Sequence, residues 1–556
     1  MNLPEPQSVT FSSLFAEVED GTIKIPQFQR NFVWSKTRSA KLLDSIVKGY
    51  PIGTFILWKT VERLRSIRNL GDVKLPDTQK GDAVKYLLDG QQRLTSLYAT
   101  LKGLTIQRDG YADDFSKLWV DLKASEHDEI VLMDVTGRGE KDVIELKELL
   151  GGDFAYLASF DKAEQEKIRK YKNNVESYQF STVLMKDAPI DVATEVFTRL
   201  NVGGEPLSVF EIMVAKTYDA EKQFDLAEKF DEFINQLESV QYETIPAATV
   251  LQTVSVLIRK DCRKREILKL PKQDVIAIWP KAVDALQSAV DYFRNFYRVP
   301  VSKLLPYPAL IIPFAYFFYK HPDKPTGDQQ KFLQDFFWRV GLGGRYSQSL
   351  ETRVSQDVAK IDDILAGRLP KYDWAVDVSA EFIRKNGYFT VNRSFIKAVL
   401  CVLAYNEPKS FIDNSIVRLD NGYLKQSNSK NYHHFFPKSW LEGQKVEYTK
   451  ANHIANITLV DDFLNKRVIK AKSPKVYMQS FIEQNKDIEK CMATHLIKLD
   501  STFGTLEDDY GRFFDARSQL ISEELAKRIV PQPSDQATPL RSAEDTATED
   551  EDAIAA

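Results

Sequence analysis

Three regimes of hydrophobic patterning follow one another along the chain. Over residues 1–220, short apolar runs alternate with stretches in which apolar residues recur at three and four. The runs 54–58 (TFILW), 83–88 (AVKYLL) and 117–122 (KLWVDL) predict buried strands, and 37–48, 91–101 and 190–200 predict helices. From 221 to 414 the helical spacing persists, as in Phe224, Leu226, Ala227, Phe230, Phe233, Ile234 and Leu237, and strand-like alternation is scarce. Its aromatics, among them Phe336, Phe337 and Trp338, are expected in a core rather than on a base-stacking platform. A third unit spans 415–500 and a helical extension 501–530. From 531 to 556 Pro, Ser, Thr, Ala and acids predict a disordered acidic tail. The fold class is therefore α+β and multidomain.

Composition changes this picture little. With 43% hydrophobic residues in 556, packed cores are assured. The net charge of −4 is local: residues 541–556 hold six acids against Arg541, a net of −5, so the rest stands at +1. That excludes a protein coating DNA by bulk charge but not one with a basic patch. Cys262, Cys401 and Cys491 are too scattered for a disulfide framework or a zinc ribbon. The N-terminus lacks a basic-then-apolar signal pattern. The longest apolar run, 307–319, contains Pro308 and Pro313 and is too short to span a bilayer. A cytoplasmic protein without membrane contact is expected.

Chemistry concentrates in two places. Near the C-terminus, 431–440 reads NYHHFFPKSW, 455–460 ANITLV, 461–468 DDFLNKRV and 471–477 AKSPKVY. The residues around His433 and His434 suit a short strand, and Ile457 and Leu459 suit another. Asp461 suits the cap of a helix carrying Phe463, Leu464 and Asn465. Strand, strand and helix make the ββα frame that holds one catalytic metal. A neutral imidazole suits a general base, and a divalent ion supplies charge for phosphodiester hydrolysis. Adjacent histidines on a strand face opposite ways, so the two cannot share one task. Alone, the pair reads as surface histidines before a turn at Pro437; the Asn-bearing blocks downstream tip the balance to chemistry.

In the N-terminal part, 89–96 reads DGQQRLTS between a strand and a helix. Asp-Gly at such a turn opens a helix N-terminus to anions, and Arg93 offers a planar fork for phosphate. By itself the motif reads equally well as a capped helix with a surface arginine. Two further blocks add weight: 25–34 (IPQFQRNFVW), with Gln29 and Arg30 among aromatics, and 197–207 (FTRLNVGGEPL), with paired glycines. No Walker-type motif is present, so a P-loop motor is not expected.

HH-x-x-P, N-I-T-L, a further Asn and K-x-P-x-x-Y together resemble the His-Me finger (HNH) nuclease domain of GmrSD-type proteins. DGQQR and its companions resemble that family's N-terminal domain, whose fold is akin to ParB and sulfiredoxin. The resemblance covers about residues 8–220 and 425–485, with the helical middle alike only in character. It implies His434 as general base, Asn456 as holder of the loop that orients it, and His433 and Asn465 as ligands of Mg2+ or Mn2+. It implies nucleoside triphosphate binding by Asp89, Gly90, Gln91, Gln92, Arg93 and Thr95, with Gln29, Arg30 and Asn201. His453 lies outside the pattern and is expected to be structural. Similar proteins include type IV restriction enzymes of glucosylated hydroxymethylcytosine DNA and SspE-like and BrxU-like antiphage effectors. The expected function is a nucleotide-regulated endonuclease or nickase acting on double-stranded, modified phage DNA. The alternative is a nucleotide-sensing DNA-binding regulator with a vestigial nuclease. The DNA modification, the preferred nucleotide and homo-oligomerisation are left open.

Overall fold

A computed structural model describes residues 3–26, 32, 34–61, 64, 69–70, 73–74, 76, 82–108, 111–125, 127–200, 208–219, 221–421, 432–460, 469 and 471–537. The chain divides into two compact units, Met1–Leu226 and Ala227–Ala555.

The first unit is built on a five-stranded mixed sheet. Its elements are β1 (Glu5–Thr10), α1 (Phe11–Glu19), β2 (Ile23–Lys24), α2 (Lys36–Val47), β3 (Phe55–Thr60), β4 (Val84–Asp89), α3 (Gln91–Lys102), α4 (Lys162–Glu176), β5 (Gln179–Lys186) and α5 (Ile190–Leu200). The strand order is β1-β5-β3-β4-β2. β3 runs parallel to β5 and antiparallel to β4, with Trp58 opposite Tyr86. The apolar runs at 54–58 and 83–88 become β3 and β4 because helices cover the sheet. Leu43 and Ile46 of α2, Leu97 of α3 and Ile168 of α4 share one core with Phe55, Leu57 and Phe180. The run at 117–122 supplies the short strand Trp119–Asp121, paired in a separate three-stranded sheet. The expected helices at 37–48, 91–101 and 190–200 fall within a residue of α2, α3 and α5.

The second unit begins as helices: α6 (Ala247–Arg259), α7 (Lys272–Asn295), α8 (Ile311–Lys320), α9 (Gly327–Leu342), α10 (Leu350–Leu365), α11 (Ala380–Asn386) and α12 (Ser394–Tyr405). Phe336, Phe337 and Trp338 are fully buried, as the pattern predicts. Phe337 meets Phe293, Tyr297 and Phe314 ring to ring. The unit continues into β6 (Tyr432–His434), α13 (Lys438–Gly443), β7 (Ile457–Leu459), α14 (Pro474–Gln484), α15 (Ile488–Thr494) and α16 (Tyr510–Ala526). β6 and β7 pair antiparallel, His433 opposite Thr458 and His434 opposite Ile457. Beneath them Phe435, Phe436, Tyr477, Met478 and Phe513 form a second core. The helix expected from Asp461 and the tail from 538 lie outside the described residues.

Within 531–537, which composition assigns to the tail, Gln532 and Asp535 are tied to the helical core. The Arg339 guanidinium, wholly buried, donates to both carboxylate oxygens of Asp335 on its own helix and to both of Asp535 at 2.7 Å. It also donates to the Val530 carbonyl. A composition window averages over such a contact, whereas one buried cation with two carboxylates holds the segment in place. Among the described residues, no helix is long and apolar enough to cross a membrane.

Candidate active site

The two histidines of β6 face opposite ways and meet different surroundings. His433 is 2% exposed, among the rings of Phe411, Phe435 and Tyr477. Its Nδ1 lies 2.9 Å from Thr458 Oγ1, and that hydroxyl donates to the His433 carbonyl at 3.3 Å. A hydroxyl has one hydrogen. Placed on the carbonyl, it leaves Nδ1 to supply the hydrogen between ring and hydroxyl, and Nε2 is then a bare lone pair; Nε2 is buried and without a hydrogen-bond partner among the described residues. Burial, aided by the nearby His434, His495 and Arg517, lowers the His433 pKa to about 3. The ring is neutral at any physiological pH.

His434 is half-buried, with Nε2 2.9 Å from Asn452 Oδ1 and the Phe389 ring edge-on at 6.5 Å. Burial lowers its pKa to about 4, opposed by the Asn452 hydrogen bond and assisted by the Lys438 charge. This imidazole also rests neutral, as a general base must.

Asn456 is fully buried and pins the chain after β6. Its Oδ1 accepts from the Phe436 N–H at 2.8 Å, and its Nδ2 donates to the carbonyls of Phe436 and Ala451. The loop leaving His434 is thus clamped to the turn entering β7. His453 accepts from the Ala455 N–H through Nδ1, and its Nε2 lies 3.1 Å from the Ile383 carbonyl, a structural arrangement. Asn465 lies outside the described residues. Among the described residues no three His, Cys, Asp or Glu side chains gather where they could hold a metal ion.

Sequence reading passed over four residues here. Asn452 meets His434 Nε2, and Thr458 meets His433 Nδ1. His495 is buried against Phe411, with Nε2 2.8 Å from the Lys409 carbonyl. Arg517 on α16 is fully buried and donates to the carbonyls of Ala455, Ile457 and His495. Its spacing from Phe513, Phe514 and Ile521 already placed it on the apolar face of a helix. Thr458, polar within an apolar strand, was a comparable signal.

In the first unit, the turn from β4 to α3 brings Asp89, Gly90 and Arg93 together. Gly90 has φ 99°, and a Cβ there would lie 2.4 Å from Phe55 Cδ1, so only glycine makes this turn. The Arg93 fork is turned inward. It donates to the carbonyls of Ile52 at 2.8 Å and Thr54 at 3.0 Å, and to Asp89 Oδ2 at 3.0 Å. It braces the start of β3 against the turn. Gln92 Oε1 accepts from the Trp34 N–H at 3.2 Å, joining the block at 25–34 to DGQQR. Gln91 and Thr95 are buried in the first turns of α3. The helix that opens the third block, α5, packs on β4. Gln29, Arg30 and Asn201 lie outside the described residues.

Residues 11–218 match the family described as GmrSD restriction endonuclease, N-terminal domain. Over most of its length the chain is also similar to the uncharacterized protein MJ0686 of Methanocaldococcus jannaschii. The two are 23% identical over 593 aligned positions, covering 93% of this chain and 98% of that protein.

Proposed function

We propose that the protein is a metal-dependent DNA endonuclease or nickase of the restriction type, regulated by a nucleotide and directed at modified phage DNA. The N-terminal family match supports the restriction class. The observation that carries the chemistry is the opposed pair on β6: two neutral imidazoles back to back, one against Thr458 and the other against Asn452.

In this reading His434 takes the proton of the attacking water at Nδ1, its Nε2 hydrogen being held by Asn452. His433 Nε2, an orphaned buried lone pair, is the kind of atom that accepts a divalent cation, with Asn465 as its companion. A bound Mg2+ or Mn2+ would supply the charge that polarises the scissile phosphate and stabilises the leaving oxygen. Asn456 keeps the two imidazoles in register with the β7 turn.

The nucleoside triphosphate is assigned to the β4–α3 turn, where Gly90 brings no side-chain cap to α3 and a helix N-terminus favours phosphate. Arg93 and Asp89 serve there as the brace of the turn, with Gln91, Gln92 and Thr95 in the first turns of the helix. Gln29, Arg30 and Asn201 complete the site in this reading.

The testing experiment is cleavage of glucosylated, phosphorothioated and unmodified DNA by the full-length protein with Mg2+ or Mn2+, adding each nucleoside triphosphate in turn. Preferential, nucleotide-dependent cleavage of one modified DNA supports the proposal. Absence of cleavage under every condition overturns it.

A further inference from the structure

Asn452 joins the strap between α11 and α12 to His434 by hydrogen bonds, beside the ring contacts that Phe389 of the strap makes with Tyr432 and His434. The contact is reciprocal: the Phe389 N–H donates to the Asn452 carbonyl at 3.0 Å, and Asn452 Nδ2 donates to the Phe389 carbonyl at 3.1 Å. Tyr388 and His453 form a β-bridge beside it, and the Ile454 N–H donates to the Gly387 carbonyl at 2.8 Å. Asn452 is 8% exposed.

This arrangement leaves no choice of amide orientation. A carbonyl only accepts, so the group facing Phe389 O is the NH2 and the group facing His434 is the oxygen. An amide oxygen also only accepts, so the hydrogen in the 2.9 Å contact belongs to His434 Nε2. Nδ1 is then the basic nitrogen. The opposite amide orientation would set two oxygens face to face across the Phe389 contact.

We infer that Asn452 is a positioning residue: it selects the tautomer and tilt of His434 from a platform supplied by the strap at 387–389. The inference rests on the reading of His434 as the base. It gives the helical part of the second unit a direct hold on the reacting imidazole, through Phe389, whose ring also borders His434.

Two variants of similar shape separate orientation from mere support. Asn452→Leu and Asn452→Asp both lose the donor to Phe389, but only the leucine loses the acceptor for His434. In DNA cleavage by the full-length protein, at a pH well above the ordinary histidine range, Asn452→Leu is expected to lower kcat about 10²-fold at unchanged KM. Asn452→Asp is expected to keep most of kcat. Equal losses in both would mean that Asn452 only holds the strap, overturning the inference. A second readout needs no activity: nitrogen shifts of histidine-labelled protein, with His434→Ala identifying the His434 signals. Wild type is expected in the Nε2–H form and Asn452→Leu in a mixture. A wild-type His434 carrying its hydrogen on Nδ1 overturns the inference. Inactivity of wild type on every DNA would instead overturn the proposed function, with the tautomer measurement still deciding the role of Asn452.

Discussion

Across the β6–β7 pair Thr458 Oγ1 lies 2.9 Å from His433 Nδ1 and donates to the His433 carbonyl at 3.3 Å. The opposite ring nitrogen, Nε2, is buried and without a hydrogen-bond partner among the described residues.

Thr458→Val removes the hydroxyl and keeps the shape. The buried Nδ1 then lacks its partner, which costs about 1–3 kcal/mol. The denaturation midpoint of the second unit is expected to fall, and the Mg2+ concentration for half-maximal cleavage to rise as the ring becomes free to change tautomer. His433→Ala and Asn465→Ala are expected to raise the metal requirement further. An unmoved metal titration in both alanine variants would remove these residues from the metal site.

Acid is expected to destabilise the second unit early. Burial lowers the pKa of His433 to about 3 and those of His434, His453 and His495 to about 4, against an ordinary 6.5. Below 6.5 the unfolded chain therefore binds protons that the folded one refuses. The stabilisation is full above 6.5 and is lost as pH falls toward the folded values, up to about 1.4 kcal/mol per pH unit for each histidine. Urea midpoints measured at about pH 7 and about pH 5 check this. A midpoint that holds or rises on acidification would show that these rings are not buried neutral.

Arg93→Ala is expected to weaken the first unit by about 3 kcal/mol, because two carbonyls and Asp89 lose charged donors at once. Triphosphate binding, measured by calorimetry at a temperature where the variant remains folded, is expected to disappear with the turn it braces. Wild-type affinity in a folded Arg93→Ala protein would place the nucleotide elsewhere.

Truncation after Ala537 keeps the Arg339–Asp535 clamp and removes the acidic segment. Cleavage is expected to persist, with tighter non-specific DNA binding at low salt that fades as salt screens the charge. Loss of soluble protein or of cleavage would assign the tail a part in folding or chemistry.

Much of the framework was legible in the sequence, because period-2 and period-3.6 patterns record which face is buried. β3, β4, α2, α3 and α5 follow from that record, and short strands at the HH pair and at NITLV were expected from their apolar neighbours. Partnerships were less so. Arg93 in DGQQR offers a fork, but nothing in the motif shows that the carbonyls of Ile52 and Thr54, some forty residues earlier, receive it. Asn452 precedes a histidine and an apolar run like many turn residues, and its role depends on the 63-residue separation to Phe389. Long-range hydrogen bonds have no period to read.

Whether His434 is the base of a metal-dependent nuclease is decided by nicking of supercoiled plasmid carrying the preferred modification, with Mg2+ or Mn2+, by wild type and His434→Ala. Losing a general base costs about 10²–10⁴-fold in rate. Metal-dependent nicking by wild type, abolished by a chelator and reduced to that extent in His434→Ala with fold and nucleotide binding intact, is the expected result. Nicking by His434→Ala at the wild-type rate would show that His434 is not the base.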